Sequence, residues 1–195
     1  MGDNDWHSPA PIRGDATWSR LARLVADREF LLHGSQSPGL DVLKPNAPLD
    51  FSADTFSKTK GVFATEDPTW AMAYAVRSSA CRQFLNACFY PGDAAGEWRE
   101  RRIFLSYASG DGDLSPLAPG VVYVLRREGF IRMPSYRDPA LGLMTECQFV
   151  STGAVQVVGE IPVDPTNLPI EPRFHDYDVV SERSACRPDG FPWHD

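Results

Sequence analysis

The sequence predicts an α+β fold built mainly from antiparallel strands. Helical spacing of apolar residues is confined to early stretches, while the later chain is a series of short β-branched and aromatic runs. The gaps between those runs are hairpin-like, Ser151-Thr152-Gly153 being the clearest, and no repeat links them. At 195 residues with 43% apolar content the chain can bury a substantial core, and one domain over 15–170 is expected, between a flexible N-terminus (1–14) and an irregular tail (171–195).

Residues 1–14 are polar and broken by proline. Asp15 or Thr17 can cap a helix whose apolar face is Trp18, Leu21, Ala22, Leu24 and Val25. Phe30–His33 reads as a strand. A long polar loop from Ser35 to Lys60 follows, anchored by Leu40, Val42, Leu43, Leu49, Phe51 and Phe56. A loop of that length in a compact domain is usually functional. Gly61–Thr65 is a second strand. Asp67-Pro68 then starts a helix, Asp as cap and Pro at the first helical position, with Trp70, Ala71, Tyr74 and Ala75 on one side. That helix is expected to run on or restart through Phe84-Leu85, taking Cys81 and Cys88 with it. Residues 91–100 form a polar turn and Arg101–Tyr107 a strand. The SGDGD run at 109–113 lacks the spaced ligands of a calcium loop and reads as a turn. Gly120–Leu125 and Phe130–Met133 are strands, 134–142 a loop, and Met144–Val150 and Val155–Val163 the last two strands. The chain from Asp164 is proline-broken, with little periodicity after Asp176.

Three short pieces carry groups suited to chemistry. Phe30-Leu31-Leu32-His33-Gly34-Ser35 ends a strand in an imidazole, a glycine that lets a ligand approach the backbone, and a hydroxyl. In Gly61–Thr65, alternation puts Phe63 and Thr65 on one face, a flat ring beside a small hydroxyl that suits a planar heterocycle. In Met144–Val150, Glu146 is an acid in a run otherwise apolar except for Thr145 and Gln148. A buried carboxylate is costly unless it is paired or used. Simpler readings stand beside these: a core histidine, core packing for Phe63, the buried side of a helix for Tyr74, and an edge residue facing water for Glu146. His7, His175 and His194 read as surface residues, and Asp176 and Asp178 beside His175 lack a framework for a metal.

Net charge of −7 disfavours a passive binder of phosphate backbones, so no stable nucleic-acid binding is expected. Cys81, Cys88, Cys147 and Cys186 form no Cys-x-x-Cys pair and no zinc pattern, so they read as free thiols in a reducing compartment. No apolar run reaches the ~20 residues of a membrane span and no leader is visible. A cytoplasmic protein is expected, and a leaderless secreted effector fits equally.

The order His33-Gly34-Ser35, then Val62-Phe63-Ala64-Thr65 leading to Ala71-Met72-Ala73-Tyr74, then Thr145-Glu146-Cys147-Gln148-Phe149-Val150, resembles the ADP-ribosyltransferase superfamily over about residues 30 to 163. Within it the resemblance is to the His-Tyr-Glu branch of diphtheria-type toxins and poly(ADP-ribose) polymerases. The small rifampin ADP-ribosyltransferases are similar in their His-Gly-Thr opening. The resemblance implies a split β-sandwich with N-terminal helices, NAD as substrate and no metal. It also implies transfer of ADP-ribose to a protein, nucleic-acid or small-molecule acceptor, or to water, in a toxin-like or defence setting. By position, His33 would bond a ribose hydroxyl, Gly34 the nicotinamide carboxamide and Ser35 the ribose or amide side. Phe63 and Tyr74 would flank the nicotinamide, Thr65 would join the binding wall, and Glu146 would be the catalytic acid. Phe63 stands where the family usually has tyrosine. Met144 removes the acidic pair of arginine-directed transferases. An RNA 2′-phosphotransferase is an alternative, although Arg77, Arg82, Arg101, Arg102, Arg126 and Arg127 form no recognisable phosphate motif. A catalytically inactive module that binds NAD or ADP-ribose is another.

Overall fold

The computed structural model describes residues 16–47, 54–92, 100–109, 114–138, 142–187 and 190–193. In chain order these form α1 (Ala16–Ala26), β1 (Phe30–Ser35), β2 (Val42–Leu43), β3 (Val62–Thr65), α2 (Pro68–Ala75) and β4 (Cys81–Pro91). Then come β5 (Arg102–Ser109), β6 (Gly120–Arg126), β7 (Ile131–Arg132), β8 (Tyr136–Asp138), β9 (Gly142–Glu146) and β10 (Gln148–Ser151). The chain continues through β11 (Val155–Val163), a 3₁₀ turn at Pro165–Asn167, β12 (Arg173–Phe174) and α3 (Tyr177–Cys186). The strands make a seven-stranded sheet, β2-β11-β6-β1-β3-β10-β7, and a five-stranded sheet, β12-β5-β4-β9-β8. Pairing is antiparallel apart from β12 on β5. The class is therefore α+β with mostly antiparallel sheets, an arrangement compatible with a split β-sandwich.

α2 lies at the centre. Asp67 caps it by accepting a bond from the Trp70 amide, and Pro68 fills the first turn, where a missing N–H costs nothing. Met72, Ala71 and Ala75 pack with Leu32, Val122 and Ile161 of the seven-stranded sheet and Leu21 of α1. On its other side Trp70 and Ala73 pack with Cys88, Ile103, Leu105 and Tyr107 of the five-stranded sheet. Every residue of this helix except Tyr74 is buried, as suits a helix that is apolar on nearly all sides. The opposite face of the larger sheet closes over Leu31, Leu43, Tyr123, Leu125 and Phe149.

The first helix, Phe30–His33, Gly61–Thr65, the Asp67 helix start, Gly120–Leu125 and Val155–Val163 agree with the sequence expectation to within a residue or two. Five readings change. Inside the loop assigned to 35–60, Val42–Leu43 pairs with β11 as β2. The stretch containing Phe84-Leu85 is strand β4, not helix, because Leu85, Cys88 and Phe89 bury against β5 and the C-terminal segment rather than along one helical stripe. Cys81 and Cys88 are therefore strand residues. Inside the loop assigned to 134–142, Tyr136–Asp138 pairs with β9 as β8. Met144–Val150 is not one strand: β9 belongs to the smaller sheet, β10 to the larger, and Cys147 lies between them. Finally, the tail is not wholly irregular. Asp176 caps α3, and Val180 packs into a cluster with Leu85 and Phe104. The expectations for 1–15, Leu49, Phe51, 93–99, 110–113 and His194 lie outside the described residues. Among the described residues, no helix is long and apolar enough to cross a membrane.

Candidate functional site

β1 and β3 are hydrogen-bonded neighbours, Leu32 opposite Thr65, and β10 adds the next strand, Gln148 opposite that same Thr65. Where these strands meet α2 there is a cavity of about 670 Å³, within the range usual for small-molecule sites. Its lining includes His33, Gly34 and Ser35 of β1, Phe63 and Thr65 of β3, and Tyr74 of α2. Six residues named from sequence thus share one cavity, brought there by β1 and by the β3–α2 unit some thirty residues later.

His33 is fixed within it. Its Nδ1 lies 2.7 Å from the Phe63 carbonyl oxygen. A carbonyl oxygen can only accept, so Nδ1 carries the proton and Nε2 keeps its lone pair. Burial pushes the imidazole below its usual range, against the opposing effect of the Phe63 bond, so the ring is neutral near pH 7. A neutral ring in this tautomer accepts a hydrogen bond from a ligand hydroxyl.

Gly34 lies hard against α2. A Cβ there would collide with the Ala71 carbonyl oxygen and lie 2.5 Å from the Ala75 nitrogen. The next residue but one continues that contact: the Gln36 side-chain amide donates to the Ala75 carbonyl. Ser35 accepts at its Oγ from the Ser37 amide (3.1 Å). The following turn is held by Tyr123, whose hydroxyl donates to the Ser37 carbonyl (2.5 Å) and accepts from the Leu40 amide (3.0 Å).

The aromatic wall is partly open. Phe63 is half-buried and meets Phe56 edge-on at 6.4 Å between centroids. Tyr74 is 37% exposed and is the one residue of α2 outside the buried set, which corrects its sequence reading as a buried helix residue. Its hydroxyl donates to Asn86 Oδ1 (3.1 Å), which also accepts from Trp70 Nε1 (2.7 Å). Phe84 stands edge-on to its ring at 5.0 Å. Tyr74 therefore holds one position while keeping a face toward the cavity. Thr65 has a local duty as well, its Oγ1 accepting from the Asp67 amide (3.0 Å) ahead of α2.

Glu146 stands apart from this group. It ends β9 opposite Phe89 in the smaller sheet, and its Oε1 accepts from the Tyr136 hydroxyl (2.8 Å). Burial first, then the Glu146 charge, pushes the Tyr136 phenol well above its usual range, so it remains a donor. Arg132 reaches the Glu146 carbonyl (3.3 Å) and pairs with Glu66 (2.6 Å), which Arg127 also approaches (3.4 Å). The residue that this part of the chain contributes to the cavity lining is Gln148. None of the described lining residues is acidic; the charged ones are Lys44 and Arg77. Gln148, Lys44, Asn46, Ser57 and Arg77 received no role from sequence. Gln148 left a trace there as a polar residue two places from Glu146, and Arg77 as one of the arginines that formed no phosphate motif.

Of the remaining histidines described, His175 corrects its surface reading. It is half-buried, with Nδ1 2.8 Å from Ser106 Oγ and Nε2 3.1 Å from Gln83 Oε1. Asp176 beside it serves α3 as a cap. Among the described residues, no group of three or more His, Cys, Asp or Glu is placed to hold a metal ion. No family model, curated protein or solved structure matches the chain.

Proposed function

We propose that the chain is a domain of ADP-ribosyltransferase type that binds NAD in this cavity and cleaves or holds it at the nicotinamide–ribose bond. The observation that carries the proposal is the convergence of His33, Gly34, Ser35, Phe63, Thr65 and Tyr74 on one cavity from β1 and from the β3–α2 unit. The chemistry of that lining suits the ligand. A neutral imidazole with a free lone pair accepts from a ribose hydroxyl, and Gly34 lines the cavity beside it, the position that the resemblance gives to the carboxamide contact. Phe63 and Tyr74 offer ring faces to a planar base. Lys44 and Arg77 match the negative diphosphate.

In the transfer reading, the bond to nicotinamide breaks through an oxocarbenium-like state, and Glu146 is the carboxylate that favours it. The acceptor, whether protein, nucleic acid, small molecule or water, is left open by these residues. A second reading, a module that binds NAD or ADP-ribose without turnover, is favoured by one specific observation. The strand supplies Gln148 to the lining, while the Glu146 carboxylate is engaged by Tyr136.

Calorimetric titration with NAD, together with nicotinamide release by wild type and Glu146→Ala, tests both. Binding and release, with release lost in the variant, supports transfer through Glu146. Binding without release supports the module. A folded protein that does not bind NAD ends both readings.

A further inference from the structure

We propose that Gln148 is the residue of the β9–β10 segment that touches the ribose of the bound nucleotide, and that its neutral amide holds the site to slow cleavage. The inference rests on the NAD reading of the cavity. Gln148 opens β10, opposite Thr65, and lines the cavity. Ser57 Oγ, on a buried residue, lies 3.5 Å from its Oε1. The main chain at this point is fixed, since the Gln148 carbonyl accepts from the Met133 amide (2.9 Å). The amide is thus presented to the cavity from a held stretch of backbone.

Cleavage of NAD breaks the C1′–N bond of the ribose. The bonding pair goes to the pyridinium nitrogen, which becomes neutral, and positive charge develops on the sugar. Water then adds its oxygen at C1′ and releases a proton, giving ADP-ribose and nicotinamide. A wall that helps must be negative where that charge grows. The charged residues described in this lining are Lys44 and Arg77, both positive. An amide at 148 contributes a dipole but no charge. Glu146 is two residues away in the other sheet, its carboxylate bonded to Tyr136. Among the described lining residues there are groups for binding and no anion to speed the chemistry.

The test compares wild type, Gln148→Glu and Gln148→Ala, each checked for fold by circular dichroism, for NAD affinity by calorimetry and for nicotinamide release. Gln148→Glu is close to isosteric and is expected to keep NAD binding and raise release on the order of a hundredfold, the scale of one well-placed electrostatic group. Gln148→Ala is expected to weaken NAD binding, and this arm stands even if the glutamate variant fails to fold. Unchanged release in a folded, NAD-binding Gln148→Glu overturns the inference and leaves the NAD reading intact. So does an Ala variant that binds NAD as tightly as wild type, or a wild type with rapid release that Glu146→Ala abolishes. Failure of all folded forms to bind NAD overturns the reading beneath it instead.

Discussion

Replacing Gly34 with alanine should lift α2 off the larger sheet. The added Cβ would overlap the Ala71 carbonyl oxygen, lie 2.5 Å from the Ala75 nitrogen and 2.8 Å from the Tyr74 Cβ. Comfortable carbon contacts begin near ~3.5 Å, so the helix must retreat by about 1 Å. It cannot do so freely. A Cβ at Gly120 would strike the Ala75 carbonyl, which shows that β6 supports the same turn of helix as closely as β1 does. On the far side, the Tyr107 hydroxyl donates to the Ala73 carbonyl at 2.9 Å and resists any shift toward the smaller sheet. Overpacking costs roughly 1–3 kcal/mol, and an obstacle made of helix backbone, with the Tyr107 bond opposing retreat on the far side, puts this case near the upper end. For a domain of this size, about 3 kcal/mol lowers the thermal midpoint by roughly 6–12 °C. The assay is thermal denaturation followed by circular dichroism. Gly159→Ala serves as control, because a Cβ there meets nothing within 4 Å. NAD titration of the folded variant should show weaker binding, since Tyr74 moves with the helix. A Gly34→Ala midpoint equal to that of Gly159→Ala would refute the claim that α2 rests on this backbone.

Asp67→Asn keeps the Oδ1 that caps α2 but removes the charge that faces the buried Arg101 at 2.5 Å, so a loss of about 3–5 kcal/mol is expected in urea titration; a loss under about 1 kcal/mol would show the pair to be dispensable. His33 sets an acid limit. Its folded pKa lies below the ordinary imidazole value of about 6.5, so the unfolded chain binds more protons, and stability present above that value falls as pH drops below it. The variant His33→Gln should lose this slope in unfolding midpoints measured against pH, and wild-type NAD affinity should fall over the same range as Nε2 takes up a proton. Tyr136→Phe removes the 2.8 Å bond to Glu146 and should cost about 1 kcal/mol. Combined with Glu146→Gln the two losses should fall short of their sum, whereas full additivity in the double-mutant cycle would mean the bond contributes nothing.

What could be read from sequence was whatever short-range chemistry determines. Asp67-Pro68 starts α2 because capping and the proline ring act within one turn. Gly120–Arg126 is a strand because its β-branched and aromatic residues fill a layer with both faces covered. β4 was misread as helix because CRQFLNACFYP has no clean alternation, and its burial is decided by β5 and the C-terminal segment, which are distant in sequence. α3 was missed for a related reason. Only Val180 is buried along it, so no apolar stripe marks the helix, and the Asp176 cap was the sole local signal. His33, Gly34, Ser35, Phe63, Thr65 and Tyr74 were legible as a group because strand ends and a helix start deliver their side chains with little freedom.

The division between Glu146 and Gln148 could not be read in the same way. In a continuous strand, residues two apart share a face and a set of neighbours, so 146 and 148 would look into the same space. The chain does not keep that condition. Phe89 lies opposite Glu146 in the smaller sheet, and Thr65 lies opposite Gln148 in the larger one. Between them Cys147, fully buried, turns its amide to the Cys88 carbonyl (2.9 Å) and so ends one ladder before the other begins. A buried residue between two half-buried polar ones is also what unbroken alternation produces, so the pattern of polarity carries no mark of the seam. The change of partner comes from pairings more than fifty residues away in sequence at Phe89 and more than eighty at Thr65. At such a seam, identity and spacing still say that an acid and an amide are close together. Only the ladder decides which of them the cavity receives, and here that is the amide.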